Sequence, residues 1–199
     1  MVAGGSGTRF GARKQYLRLG GLRVLDWALA AAAEHSDGVV LVVPRDVADE
    51  PEPKADVVVA GGATRSASVR AGLAAVPDDA EIIVVHDAAR PVPVPHVWRA
   101  VLAAVEDGAD AAVPAVPVTD TLRSLDGGVV DRSRLVAVQT PQAFRAAALR
   151  AAHVGGGDAT DDASLVEARG GRVVVVDGDP RNLKITTPAD LAVAELHCR

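Results

Sequence analysis

Cysteine is almost missing from this chain. The one copy, Cys198, is next to last and has no partner for an internal disulfide, so it reads as a bystander on a frayed end. Aromatic residues amount to only 3%, so the core must be built from the Val, Leu, Ile and Ala that dominate the 49% hydrophobic fraction. No run of about 18 apolar residues occurs, which excludes an apolar membrane-spanning helix. No basic segment followed by an apolar one opens the chain, so no secretory signal is expected. Positive charge is not in excess either: the net charge of -5 argues against nonspecific nucleic-acid binding through a basic face. Linkers, repeats and low-complexity segments are lacking, and no fused second enzyme is indicated. The expectation is a soluble, cytoplasmic protein with one domain over residues 1–199 and one sizeable core.

What the chain does have is a glycine-rich turn near its start, Ala3-Gly4-Gly5-Ser6-Gly7-Thr8-Arg9, with Lys14-Gln15 close behind. Glycines let the backbone turn sharply and aim several N–H groups at one point. Arg9 and Lys14 add full charges, a combination suited to polyphosphate. The turn is neither of two familiar phosphate loops. The dinucleotide fingerprint needs glycine where Phe10 stands, and the P-loop needs Gly-Lys-Ser/Thr where Arg13-Lys14-Gln15 stands. A plain glycine turn beside solvated cations is the competing reading of the loop taken alone.

Apolar runs alternate with amphipathic stretches, which predicts an α/β fold with a mainly parallel sheet. Strands are expected at Val39–Val43, Val57–Ala60, Ile82–Val85, Ala111–Val118 and Val173–Val176. Pro114 and Pro117 mark the fourth as irregular or an edge. Helical spacing groups Val24, Leu25, Ala28, Leu29 and Ala32, then Val69, Gly72, Leu73 and Val76, then Val97, Val101, Leu102 and Val105. Thr187, Pro188 and Asp190 signal the start of a last helix, and Thr160 or Asp161 is expected to cap a helix through Leu165 and Val166. Residues 121–138 break the alternation: Leu122 to Leu125, the turn Asp126-Gly127-Gly128 and Val129 to Asp131 read as a hairpin arm. A lone hairpin is marginal in water, so it must pack on its own domain or on a second copy. Only Met1, Val2 and Ala3 precede Gly4. The first strand is therefore a stub, either shortened at the sheet centre or continued upstream.

Further polar clusters fall at the expected strand ends, where open α/β sheets bind ligands. Gly61-Gly62-Ala63-Thr64-Arg65-Ser66-Ala67-Ser68 joins a strand to a helix; its glycines would let backbone approach a flat base, and Ser68 would donate to a base or sugar. The alternative is a turn with an ordinary helix cap. His86-Asp87-Ala88-Ala89-Arg90-Pro91 follows a wholly apolar strand. Asp87 suits a ribose hydroxyl, a metal-bound water or a second substrate, unless it merely pairs with Arg90; His86 reads as structural. Asn182-Leu183-Lys184-Ile185-Thr186 places a lysine within an apolar run, as expected if Lys184 faces an anion, or if it guards a sheet edge.

Together with Asp120-Thr121, Asp131-Arg132, Gln139-Thr140-Pro141-Gln142 and Thr160-Asp161-Asp162-Ala163-Ser164, this ordered series resembles the 2-C-methyl-D-erythritol 4-phosphate cytidylyltransferase family. The resemblance implies a Rossmann-like nucleotidyltransferase fold with helices on both faces of the sheet. It also implies a homodimer whose arms reach across, and cytidylyl transfer from CTP to methylerythritol phosphate with Mg2+ held mainly by phosphates and water. By the same resemblance, Ala3, Gly4, Gly5, Ser6 and Gly7 cradle the nucleotide, and Gly62 and Ser68 form the cytosine pocket. Arg9 and Lys14 stabilise the charge on the transferring phosphorus and leaving group. Arg132 and Lys184 hold the attacking phosphate, Thr121, Thr140 and Thr160 meet the sugar alcohol, and Asp87 lies between the substrates. The chain departs from the family pattern at Arg13, where proline is usual, and in a loop from Arg9 to Lys14 about two residues shorter. A pentitol-phosphate cytidylyltransferase and a catalytically impaired nucleotide-binding homologue are the alternatives.

Overall fold

The structure, a computed structural model, describes residues 1–5, 10 and 12–198. Ser6, Gly7, Thr8 and Arg9 of the glycine turn lie outside the described residues. In chain order the strands are β1 (Arg18–Leu19), β2 (Leu22–Arg23), β3 (Val40–Val43), β4 (Val57–Ala60), β5 (Ile82–Val85) and β6 (Ala111–Pro117). They continue as β7 (Leu122–Arg123), β8 (Val129–Val130), β9 (Val136–Val138), β10 (Gln142–Arg145) and β11 (Val173–Asp177). The helices are α1 (Val24–Glu34), α2 (Arg65–Leu73), α3 (Pro95–Glu106), α4 (Ala146–His153), α5 (Ala163–Glu167) and α6 (Pro188–Glu195).

Five strands form one sheet, ordered β11-β6-β10-β5 with β9 also on β6, and β3 pairs in parallel with β4. The stub at the chain start joins these two parts. Val2 N–H donates to His86 O at 2.8 Å and Ala88 N–H to Val2 O at 3.0 Å on one side. Ala3 N–H donates to Val42 O at 2.7 Å and Val42 N–H to Met1 O at 2.9 Å on the other. A very short strand thus occupies the sheet centre and delivers Gly4 and Gly5 straight to the ligand edge.

Side chains alternate across the sheet. Ile83, Val85, Ala111, Val113 and Phe144 point to the face covered by α2, α4 and α5. Ala112 and Ala143 point the other way, to Val101 and Val105 of α3, while Leu25 and Leu29 of α1 pack with Leu41 and Val43 of β3. Helices on both faces are therefore what the apolar runs require, since a strand buried on both sides needs cover on both.

One expectation needs correction. β6 is neither irregular nor an edge: it pairs with β11 in parallel and with β10 and β9 antiparallel. Its prolines fit because the strand changes partner along one side. β10 meets Ala111 and Ala112, β9 meets Ala115 to Pro117, and Pro114 O accepts from Gln139 N–H in the gap. An N–H of Pro114 would point into that same gap, so its loss breaks no ladder bond. The parallel pairings expected of the sheet are present in β11 with β6, β3 with β4 and the stub on both sides, and β10 and β9 add antiparallel ones.

The cap signal at Thr187 located the last helix. Thr187 accepts from Asp190 N–H, and Asp190 Oδ2 accepts from Thr187 N–H at 2.7 Å, a reciprocal capping box. Asp161 Oδ1 accepts from Ser164 N–H at 3.1 Å, but the N-cap of α5 is the next residue, Asp162, whose side chain makes no capping bond. β7 and β8 form the expected arm, turning through Gly127 and Gly128 at φ of +106° and +79°. Leu125, Val129 and Val136 stand exposed on and beside it.

Candidate functional site

At the carboxyl ends of β3, β4 and β5, with the stub between, opens a cleft of about 550 Å³. Ala3, Gly4, Gly5, Lys14, Gly62, Ser68, Asp87 and Lys184 line it, together with Arg65 and Gln15. The first eight of these, all singled out along the sequence, therefore meet at one place. Ser6, Gly7 and Arg9, also singled out, lie outside the described residues.

The loops are held by specific bonds. Buried Gln15 donates from Nε2 to Ala3 O at 2.8 Å and to Gly5 O at 3.3 Å, fixing the glycine turn from behind. Lys14 Nζ donates to Ile185 O at 2.5 Å, so this lysine reaches the cleft despite the short loop and Arg13. Arg13 itself pairs with Asp46 at 2.8 Å, tying the loop to the turn after β3. On the opposite side Thr64 caps α2 by accepting from Ala67 N–H at 3.1 Å. Ser68 Oγ accepts from Gly62 N–H at 3.2 Å and donates to Thr64 O at 3.0 Å. A Cβ on Gly62 would stand 2.4 Å from Ala67 Cβ, so only glycine brings this backbone so close to α2.

Asp87 is the single acid among the described residues that line the cleft. Its Oδ2 accepts from Lys184 Nζ at 2.5 Å, and its Oδ1 lies 3.7 Å from Arg65 Nε. Burial works to raise its pKa, but Lys184 and Arg65 together outweigh burial and hold it below the usual carboxylate value. Lys184 does face an anion, as its place in an apolar run suggested. It is carried there because Ile185 N–H donates to Ala89 O at 2.8 Å and Arg90 Nη1 donates to Asn182 O at 2.5 Å. Arg90 thus serves the loop, and Lys184 and Arg65 are the ion-pair partners of Asp87.

Thr140 is buried just behind the cleft. Its hydroxyl accepts from Asp87 N–H at 3.0 Å and lies 3.1 Å from His86 Nδ1. The hydroxyl proton therefore goes to Nδ1, and Nε2–H of His86 donates to Arg90 O at 3.2 Å. His86 also packs on Trp98, ring centroids 5.0 Å apart. Burial pushes the imidazole down from 6.5 to about 4. A neutral His86 that orients the Asp87 backbone agrees with its structural reading.

Between pH 6.5 and 4 the unfolded chain protonates this histidine and the folded chain does not, so stability falls as pH falls through that window. At about 1.4 kcal/mol per unit, the drop is on the order of 3 kcal/mol. Thermal melts from about pH 7 to 4 check it. The slope should flatten in His86→Gln, and an unchanged slope would contradict the assignment. Asp87, with its lowered pKa, adds a further loss only below the ordinary carboxylate range.

Thr121, Arg132 and Thr160 stand away from the cleft. Thr121 and Arg132 sit on the exposed arm, where Arg132 Nη1 donates to Val118 O at 3.2 Å and also to Thr119 O. Arg132 lines a second, shallower hollow of about 630 Å³ with Thr119, Leu135 and Val136. Thr160 is exposed on the segment leading to α5. Arg65, in turn, was missed as a site residue. The signal was present, a cation directly after the cap of a helix that begins at a glycine pair, but it looked like an ordinary helix start.

Among the described residues, no three His, Cys, Asp or Glu side chains converge on a metal position. The one acid among the described lining residues, Asp87, is already matched by two cations, Lys184 and Arg65.

Lys184 and Arg65 about one carboxylate, with Lys14 and glycine backbone lining the same cleft, suit a ligand that carries phosphates. These groups stand on a Rossmann-like sheet covered by helices on both faces. The profile of the 2-C-methyl-D-erythritol 4-phosphate cytidylyltransferase family matches residues 1–199, and the chain belongs to that family. It is 45% identical to the enzyme of that name from Saccharopolyspora erythraea, over 97% of this chain and 95% of that one. The crystal structure of the Thermus thermophilus enzyme aligns with a TM-score of 0.84 at 39% identity, covering 98% of this chain and 95% of that one. A bifunctional enzyme IspD/IspF from Nitratidesulfovibrio vulgaris is 42% identical over 98% of this chain. The chain spans about half the length of such bifunctional relatives, 56% in that case.

Proposed function

We propose that the chain transfers the cytidylyl group of CTP to 2-C-methyl-D-erythritol 4-phosphate and releases pyrophosphate. The observation that carries this reading is the Lys184–Asp87–Arg65 cluster facing Lys14 and the Gly4-Gly5 backbone across one cleft. A phosphate oxygen of the acceptor attacks the α-phosphorus of CTP in line. A new P–O bond forms as the bond to the bridging oxygen of the β-phosphate breaks, and pyrophosphate leaves.

Little covalent chemistry falls to the protein, so positioning and charge stabilisation account for most of the rate. The Gly4 and Gly5 backbone with Lys14 serves the triphosphate, joined by Ser6, Gly7 and Arg9 from the rest of the turn. Gly62 and the Ser68-braced loop receive the cytosine. Lys184 holds the attacking phosphate and Asp87 stands between the two substrates. Magnesium, bound by the CTP phosphates and water, supplies charge neutralisation on the leaving group. Thr140 contributes from behind by setting Asp87.

The acceptor side is completed by a second copy of the chain. That copy's arm supplies Arg132 and Thr121; what supports it is that Leu125, Val129 and Val136, large apolar groups, stand exposed on and beside the arm. Phosphorus NMR of a mixture of CTP, magnesium and methylerythritol phosphate tests the reaction. The expected products are pyrophosphate and a diphosphate diester; CTP left intact by folded protein would refute it. Sedimentation at micromolar concentration should give a dimer, and a monomer that is fully active would refute the shared site.

A further inference from the structure

Asp162 is a fully buried acid lying behind the cleft wall, and the reaction outlined above gives it no work. Its Oδ2 accepts from Arg65 Nη1 at 2.7 Å, and its Oδ1 lies 3.0 Å from His153 Nε2. His153 is itself buried, and its Nδ1 has no hydrogen-bond partner among the described residues. The ring proton therefore belongs on Nε2, where the carboxylate accepts it. Arg65 lines the cleft with its side chain about a quarter exposed, at 24%. Its approach to Asp87 is 3.7 Å, an ion pair but too long for a hydrogen bond. The guanidinium is thus fixed on its Asp162 side and unspent on its Asp87 side.

The same elements are joined at further points. Ser66 Oγ accepts from Ala159 N–H at 3.1 Å, and Thr64 Oγ1 donates to Asp158 Oδ1 at 2.7 Å. Arg70 Nη1 donates to Gly157 O at 2.8 Å. The start of α2 and the segment 157–162 are therefore joined at several points, with Arg65–Asp162 the innermost link.

We propose that Asp162, steadied by His153, is a positioning residue that aims Arg65 at the acceptor phosphate. Arg65 and Lys184 address opposite oxygens of Asp87, so a phosphate that engages Lys184 arrives within the field of Arg65. Burying a carboxylate is costly unless it is well paired. Here both oxygens are paired, and the result is a guanidinium held in one orientation toward the cleft. This inference rests on the cytidylyltransferase reading.

A double-mutant cycle of Arg65→Ala and Asp162→Asn tests it, read as KM for methylerythritol phosphate and kcat in the pyrophosphate-release assay. Each single change should raise that KM by roughly tenfold, the worth of one hydrogen bond to a charged group. The double variant should be no worse than Arg65→Ala alone, because Asp162 acts only through Arg65. Additive losses, or an Asp162→Asn protein with lowered Tm and unchanged KM, would reduce Asp162 to a structural role and overturn the proposal. Where Asp162→Asn does not fold, His153→Leu takes its place in the cycle with the same non-additivity expected. An inactive parent chain would overturn the catalytic reading and this inference together; an active parent with additive losses would overturn this inference alone.

Discussion

Lys184→Met is expected to lower kcat/KM for methylerythritol phosphate by about 10²–10³-fold, the usual loss when one preorganised charge donor is removed from the reacting groups. Lys184 is held in place by backbone bonds on either side, through Asn182 O and Ile185 N–H, so its ammonium arrives at the cleft without reorganisation. Methionine keeps most of the length and none of the charge. A second consequence follows from the partner. Asp87 has its pKa depressed against burial, with Lys184 as the foremost opposing charge. Without Lys184 that carboxyl rises, so any acid limb of the pH–rate profile that reports Asp87 moves to higher pH. Steady-state kinetics from about pH 5 to 9 check both. A variant with lower activity and an unmoved acid limb would separate Lys184 from Asp87, and one of wild-type activity would remove Lys184 from the reaction.

Gly62→Ala should be nearly as damaging, by a different route. The added Cβ would meet Ala67 Cβ at 2.4 Å and the Ala67 carbonyl carbon at 3.0 Å, so the loop must move away from α2. That shift strains or breaks the bonds between Ser68 Oγ and Gly62, and a displacement of about 1 Å in a positioning loop can cost about 100-fold. The loss should appear mainly as a raised KM for CTP. Ala67→Gly removes the obstructing methyl and should restore much of the affinity in the double variant. CTP titration calorimetry measures it. Wild-type affinity in Gly62→Ala would show that this backbone does not meet the nucleotide.

The fold was legible where apolar residues carry a clean period. β4 and β5 fall where the apolar runs placed them, and α1 buries Val24, Leu25, Ala28, Leu29 and Ala32 as one face. β10 and α4 were missed because Gln142 to Ala152 mixes polar ends with alanines too small to mark a face. Pro114 misled because a missing N–H is harmless at a point where a strand changes partner, which no local pattern reveals. In the site, the abrupt polar breaks after apolar strands gave Asp87 and Lys184, since charge at the end of a buried run needs a counterpart. Arg65 and Asp162 were not recognised as partners because they are far apart in sequence, and their bond exists only once α2 and α5 lie on the same face of the sheet. Thr121, Arg132 and Thr160 illustrate the converse. Their types suit an acceptor site, yet within one chain they stand apart from the cleft lining, a separation that residue type alone does not reveal.

The most direct test of the central claim is pyrophosphate release from CTP and magnesium, with methylerythritol phosphate and ribitol phosphate supplied in parallel. Release with methylerythritol phosphate, and little or none with ribitol phosphate, is the predicted result. Release with ribitol phosphate alone would keep the cytidylyl transfer and reject the acceptor. No release with either, from folded protein that binds CTP, would contradict the account and leave a nucleotide-binding protein without turnover.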